Sequence, residues 1–306
     1  MQPSTGYPVG IPGKPWGEAE RAQWRARQVR QRSHAEDVVA RVDALRDRFD
    51  VEQYGTLEAG GARYPLLVLR SRVVDPALPR VVVTGGVHGY ETSGVLGAFG
   101  VLETLAADWS DRAQFLVVPC VSPWGYEHIQ RWNHDALDPN RSFVADSPAA
   151  ESAALMTLLA PLRDRVLVHI DLHETTDTDE SEFRPALAAR DGLTFEPGSI
   201  PDGFYVVDDS ERRQPAFQQA IIEAVAGVTH IAAADADGML IGSPAVAEGV
   251  IEYPVTRLGL CVSATAAPYV CTTEVYPDSP RTTPDACTAA QIAAVRGALE
   301  HVLLPR

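Results

Sequence analysis

Short β-branched runs alternate along this chain with Ala-rich helical patterns, and that alternation most constrains the fold. The runs fall at 64–69, 81–84, 115–118, 166–170, 204–207, 249–253 and 269–275. The helical patterns fall at 92–107, 149–159, 214–226 and 288–304. Strands interleaved with helices predict an α/β fold: a mixed, mostly parallel central sheet with helices on both faces. In such sheets the chemistry gathers just past the carboxyl ends of the strands.

A length of 306 residues fits one large α/β domain or two small ones. The organisation expected here is an N-terminal helical extension, residues 1–55, packed on a catalytic domain, residues 56–306. Within 17–49, Trp24, Val29, Val38, Val39, Val42, Leu45 and Phe49 recur near helical spacing and suggest one amphipathic helix or two. Arg21, Arg25, Arg27, Arg30 and Arg32 are read as a solvated helix face, with a basic contact patch as the alternative. The chain carries 26 Lys+Arg against 41 Asp+Glu, a formal net charge of −15. That sign argues against nucleic acid and anionic membrane as partners. No run approaches ~18 apolar residues, so no membrane span is expected. The first fifteen residues lack a basic-then-apolar signal pattern, so the expected location is the cytoplasm. Cys120, Cys261, Cys271 and Cys287 form no CxxC pair and read as small buried hydrophobes.

Four segments carry candidate chemistry. In the first, the strand at 81–84 ends in Gly85-Gly86, and His88 and Glu91 then stand three apart. Glycines permit a sharp turn, and the spacing puts imidazole and carboxylate on one side of it. Zinc accepts both ligand types; a capped helix start is the plainer reading of the same pair. In the second, Val166 to Asp177, alternation puts His169, Asp171 and His173 on one face of an extended chain. One of these histidines suits a third ligand, and His173 is favoured because it lies nearer the strand's carboxyl end. A structural core histidine is the reading favoured for His169.

The third segment, Arg131 to Phe143, offers two arginines and two amides suited to a carboxylate or a developing oxyanion. A loop held by Asp138–arginine salt bridges is the alternative. In the fourth, Glu252 and Glu274 each sit in or at the end of an apolar strand, and either can serve as a base for a metal-bound water. A solvent-facing edge glutamate is the plain alternative for each. The acidic residues Asp177, Asp179, Glu180 and Glu182 read as a solvated loop, with attraction of a basic substrate as the alternative.

Taken in order, these motifs resemble the zinc carboxypeptidase family, the carboxypeptidase A-like metallopeptidases, over roughly residues 60–304. The resemblance implies one zinc ion held by His88, Glu91 and His173. It implies that Arg131 polarises the scissile carbonyl and that Asn140 and Arg141 bind a terminal carboxylate. It implies Glu274 as catalytic glutamate, with Tyr253 near the position of a mobile substrate-binding tyrosine. Asp171 is left as a group behind the ligands. His173-Glu174-Thr175-Thr176 is closer to the related succinylglutamate desuccinylase/aspartoacylase branch. The implied activity is hydrolysis of the C-terminal amide of a peptide. A zinc amidohydrolase of N-acyl amino acids or cell-wall peptides is the alternative, and a non-catalytic zinc or peptide-binding protein a distant one.

Overall fold

The computed structural model describes residues 7–72 and 75–304. Its ten strands are β1 (Phe49–Ala59), β2 (Ala62–Ser71), β3 (Arg80–Gly85), β4 (Gln114–Val118), β5 (Val166–Glu174), β6 (Tyr205–Asp209), β7 (Met239–Leu240), β8 (Ser243–Pro244), β9 (Val250–Tyr253) and β10 (Tyr269–Val275). Eight of them form one sheet in the order β1-β2-β4-β3-β5-β10-β6-β9. The four central strands, β4, β3, β5 and β10, run parallel, and the flanking joints β2–β4 and β10–β6 are antiparallel. The fold is thus the mixed, mostly parallel α/β sheet that the alternation predicts. β7 and β8 pair as a separate small hairpin.

Period-two alternation sorts β5 between the two sides of the sheet. Val168, Ile170 and Leu172 enter one core, with Phe99, Leu102, Phe217, Ile221 and Val295 from helices Thr92–Gly100, Pro215–Ala226 and Pro284–Leu303 and the π-turn that extends the first of them. His169, Asp171 and His173 therefore take the opposite side, where helix Ala150–Leu159 contributes Leu155 and Leu159 to a second core. Burying both faces explains why the central strands read as continuous apolar runs. No helix among the described residues is long and apolar enough to cross a membrane.

Residues ahead of the sheet form two short helical segments, Glu18–Ala26 and Ala35–Ala44, with a break between them. Val29 falls in that break and is exposed, whereas Trp24, Val38, Val42 and Leu45 are buried. Trp16 and Trp24 pack on Trp132 at ring separations of 6.1 and 5.6 Å, and Trp24 also meets Trp124 at 6.1 Å. This aromatic cluster fastens the N-terminal segment to the loops around the strand ends. The 55/56 boundary expected from the sequence falls inside β1, which pairs along its length with β2 and is part of the sheet. A register shift between Gln53 and Gly55 breaks the alternation there. With much of β1 open to solvent, the strand left no hydrophobic signature.

Candidate metal centre and active-site cleft

His88 and Glu91 sit on the turn that follows β3, and His173 near the end of the neighbouring parallel strand β5. Gly86 adopts a left-handed backbone, φ +58°, which starts that turn. A Cβ on Gly89 would meet Tyr126 N at 1.9 Å, so the turn lies directly on the Gly125–Tyr126 backbone. The ligand atoms of His88, Glu91 and His173 all lie within 4.8 Å of one another, and all three residues are buried.

His88 Nδ1 is 2.8 Å from Glu91 Oε1, His173 Nδ1 is 2.8 Å from Glu91 Oε2, and the two Nδ1 atoms are 3.2 Å apart. The far ring nitrogens are engaged elsewhere. His88 Nε2 meets Asp138 Oδ1 at 2.9 Å and His173 Nε2 meets Asp171 Oδ2 at 2.5 Å. When each Nε2–H donates to its carboxylate, each Nδ1 presents a lone pair to the shared point, beside the Glu91 carboxylate. Glu91 Oε2 makes no hydrogen bond. Crowded buried acceptors without a proton to share are the donor set of a cation site, and two imidazoles with one carboxylate suit a catalytic zinc. Burial pushes the Glu91 carboxyl up, while protonated imidazoles at His173 and His88, or a cation in their place, would pull it down.

Asp171 is held in turn by the Thr84 hydroxyl, which donates to Oδ1 at 2.6 Å. Asp171 thus stands behind His173, the place the sequence reading expects for it. His169 lies outside the cage, 3.1 Å from Thr265 Oγ1 and 3.4 Å from Thr84 Oγ1. Burial lowers it to about 4, so it is a neutral core histidine. Asp138 was legible only as an arginine partner. The structure adds its bond to His88, and the signal available was an aspartate ahead of a Pro-Asn-Arg turn.

A cleft of about 630 Å³ opens beside the cage. Arg131, Arg141, Tyr253 and Glu274 line it, together with Tyr205, Val207 and Ile251. Glu274 stands directly across from His173 in the β5–β10 register. The Thr175 hydroxyl donates to Glu274 Oε2 at 2.8 Å, and the Tyr205 hydroxyl lies 2.7 Å behind Thr175 Oγ1. Burial, working against the pull of His173, pushes Glu274 up to about 7. Glu252 pairs with Arg213 at 2.7 Å and is not among the residues lining the cleft. Arg131 bridges Asp138 Oδ2 at 3.2 Å and Asp179 Oδ1 at 3.3 Å. Arg141 is exposed at the cleft and donates to the Asn140 carbonyl at 2.7 Å.

Two expectations change. Asn140 does not line the cleft: its Oδ1 accepts from Cys261 N at 2.7 Å and its Nδ2 lies 3.3 Å from His173 Nε2. It is buried behind the cage, because the turn it sits on is pinned by Asp138, whose side chain accepts from Asn140 N. The acidic run is solvated only in part: Asp177 is exposed, but each carboxylate has a partner. Asp179 is buried under Tyr90 and Arg131, Glu180 pairs with Arg184, Glu182 accepts from Tyr7, and Asp177 accepts from Tyr276. Tyr253 lines the cleft, with its hydroxyl accepting from Ser243 at 3.2 Å.

Residues 77–191 match the family model of the succinylglutamate desuccinylase/aspartoacylase catalytic domain. This segment carries the three candidate ligands, Arg131, Asn140 and Arg141, but not Glu274. The chain is 32% identical over 131 residues to "Probable carboxypeptidase 2" of Arthroderma benhamiae, a stretch covering 38% of this chain and 24% of that protein. A crystal structure from Shewanella amazonensis SB2B, assigned as a metallopeptidase, superposes with a TM-score of 0.66 at 22% identity, covering 92% of this chain and 100% of its own. The fold expected from the sequence therefore agrees with that of a structure described as a metallopeptidase. A metallo-carboxypeptidase from Pseudomonas aeruginosa, solved with (2-guanidinoethylmercapto)succinic acid, also matches, with a TM-score of 0.55 at 15% identity over 94% of this chain and 69% of its own.

Proposed function

We propose that this chain is a zinc-dependent hydrolase that cuts an amide bond beside a free carboxylate, in the manner of a carboxypeptidase. The observation that carries the proposal is the convergence of His88, Glu91 and His173 on one point, with Glu274 in register beside them at an arginine-lined cleft. A single zinc ion fits that donor set, and when bound it supplies Lewis-acid polarisation and a water of lowered pKa.

The protein's own groups divide the remaining work. Glu274 is pushed up to about 7, near the range in which a carboxyl can both take and return a proton at neutral pH. Its Oε2 is fixed by Thr175, so the proton moves at a defined place. Arg141 lines the cleft, donates to the Asn140 carbonyl and can anchor the substrate's free carboxylate as a bidentate donor. Arg131 presents a fixed positive charge, held between Asp138 and Asp179, towards a developing oxyanion. Asn140 braces Cys261 N and lies beside His173, while Tyr253 lines the cleft.

A second reading, a zinc deacylase of N-acyl amino acids, draws on the match of residues 77–191 to the desuccinylase/aspartoacylase model. Both readings use the same cage and differ in what fills the cleft. Turnover of N-blocked dipeptides, their C-terminally amidated twins and N-acyl amino acids separates them. A carboxypeptidase cuts the dipeptides and spares the amides. Cleavage of the amidated twins at equal rates contradicts it, and turnover of the N-acyl amino acids alone transfers the function to the deacylase.

A further inference from the structure

The break between the two N-terminal helical segments carries Arg32, and its side chain reaches the metal-binding turn. Its Nη2 donates to the Gly89 carbonyl at 2.5 Å, between the candidate ligands His88 and Glu91. Its Nε donates to the Tyr126 carbonyl at 2.6 Å, and its Nη1 to Thr92 Oγ1 at 2.8 Å. The guanidinium carbon sits 3.6 Å from the centre of the Tyr126 ring. One planar group thus ties the turn at Gly89, the helix start at Thr92 and the backbone of helix Pro123–His128.

The arginine is itself held in place. Gln31 N donates to the Glu127 carbonyl at 2.7 Å, and His34 N donates to Glu127 Oε1 at 2.9 Å. Tyr64 and Arg30 complete the contacts of the Glu127 carboxylate. The contact at Gly89 is equally constrained from the other side, since no side chain fits between Gly89 and Tyr126 N. The turn therefore lies on one backbone and is bonded to it through Arg32.

We propose that Arg32 is a positioning residue for the metal centre: it fixes the His88–Glu91 turn by its bonds to Gly89 O, Tyr126 O and Thr92 Oγ1. This rests on the metal-site reading above. Groups that orient ligands from behind commonly change metal affinity by ~10–100-fold. Because the contact comes from the segment ahead of the sheet, that segment becomes part of the metal centre and not only a cover for it.

The test compares wild type, Arg32→Ala, Arg32→Lys and the control Arg27→Ala. Zinc affinity is measured by competition with a chromogenic chelator. Amide exchange of the 88–92 region is followed in the metal-free protein. Arg32→Ala should weaken zinc binding by ~10-fold or more and speed exchange across 88–92, with the far-ultraviolet circular dichroism unchanged. Arg32→Lys should fall between, since an ammonium can reach a carbonyl but cannot span all three acceptors. Arg27→Ala should match wild type. A folded Arg32→Ala protein with wild-type zinc affinity and exchange overturns the proposal. If Arg32→Ala does not fold, Arg32→Lys decides by the same two readouts. A wild-type protein that binds no zinc overturns the metal reading itself, a result distinct from equal binding by wild type and variant.

Discussion

At the scale of single residues, the two glutamates offered by the sequence as bases are separated by their partners. Glu252 is engaged by Arg213, whereas Glu274 is half-buried across from His173 with its proton affinity raised. Glu274→Gln should retain zinc and substrate binding and lose turnover by ~10²–10⁴-fold, since an amide cannot accept the proton. Glu252→Gln should keep most activity. Steady-state kinetics alongside zinc content check both, and a dead Glu252→Gln beside an active Glu274→Gln moves the base. The arginines differ in the same manner. Arg141→Ala should raise KM for substrates with a free carboxylate, because that contact exists before the transition state. Arg131→Ala should act on kcat, at a cost of about 2.7–4 kcal/mol in the barrier if its charge meets the oxyanion. Its two carboxylate partners then lose their cation as well, so zinc retention belongs in the same measurement.

At the scale of elements, the site depends on a turn that leaves no room for a side chain. Gly89→Ala places a methyl group 1.9 Å from Tyr126 N, so the His88–Glu91 turn must move. The expected outcome is loss of zinc binding from a protein whose sheet remains, read by metal content and circular dichroism. Retained stoichiometric zinc would show that the turn tolerates the shift. The strands that position the site were legible in the sequence because they are buried on both faces and rich in β-branched residues. β1 was not, since its bulge and half-exposed face erase the alternation. The last helix begins at Pro284, ahead of the expected 288, because the start signal is Thr283 capping Ala286 N before a proline and not an apolar period. The convergence of His88, Glu91 and His173 at the strand ends was legible from their spacing and the strand pattern. Asn140's place behind the cage was not, because a loop sequence does not say which way an amide turns. The acidic run hid its own structure similarly: four carboxylates in six residues look solvated until their distant partners are known.

At the scale of the whole molecule, the N-terminal segment and the sheet fold as one body joined through the aromatic cluster and Glu127. His34 lies in that joint, and burial, outweighing Glu127 and Asp37, lowers it to about 4. In the unfolded chain a histidine titrates near ~6.5. As pH falls from 6.5 to 4 the unfolded chain takes up a proton that the folded one refuses, so His34 removes stability over that window, by up to ~1.4 kcal/mol per pH unit. Glu174 and Glu274, raised to about 7 by burial, act in the opposite sense: their contribution is present at low pH and lost as pH rises towards 7. The difference between wild type and His34→Gln isolates the histidine. Denaturant unfolding from pH 7 to pH 4 should show wild type losing stability relative to the variant, and parallel curves would contradict the assignment.

The central claim is that His88, Glu91 and His173, and not His169, hold one zinc ion. Calorimetric titration of zinc into metal-free wild type, His173→Ala and His169→Ala tests it most directly. The account predicts one ion per chain for wild type and for His169→Ala, and none held by His173→Ala. Zinc retained by His173→Ala and lost by His169→Ala, or no binding by the wild type, would contradict it.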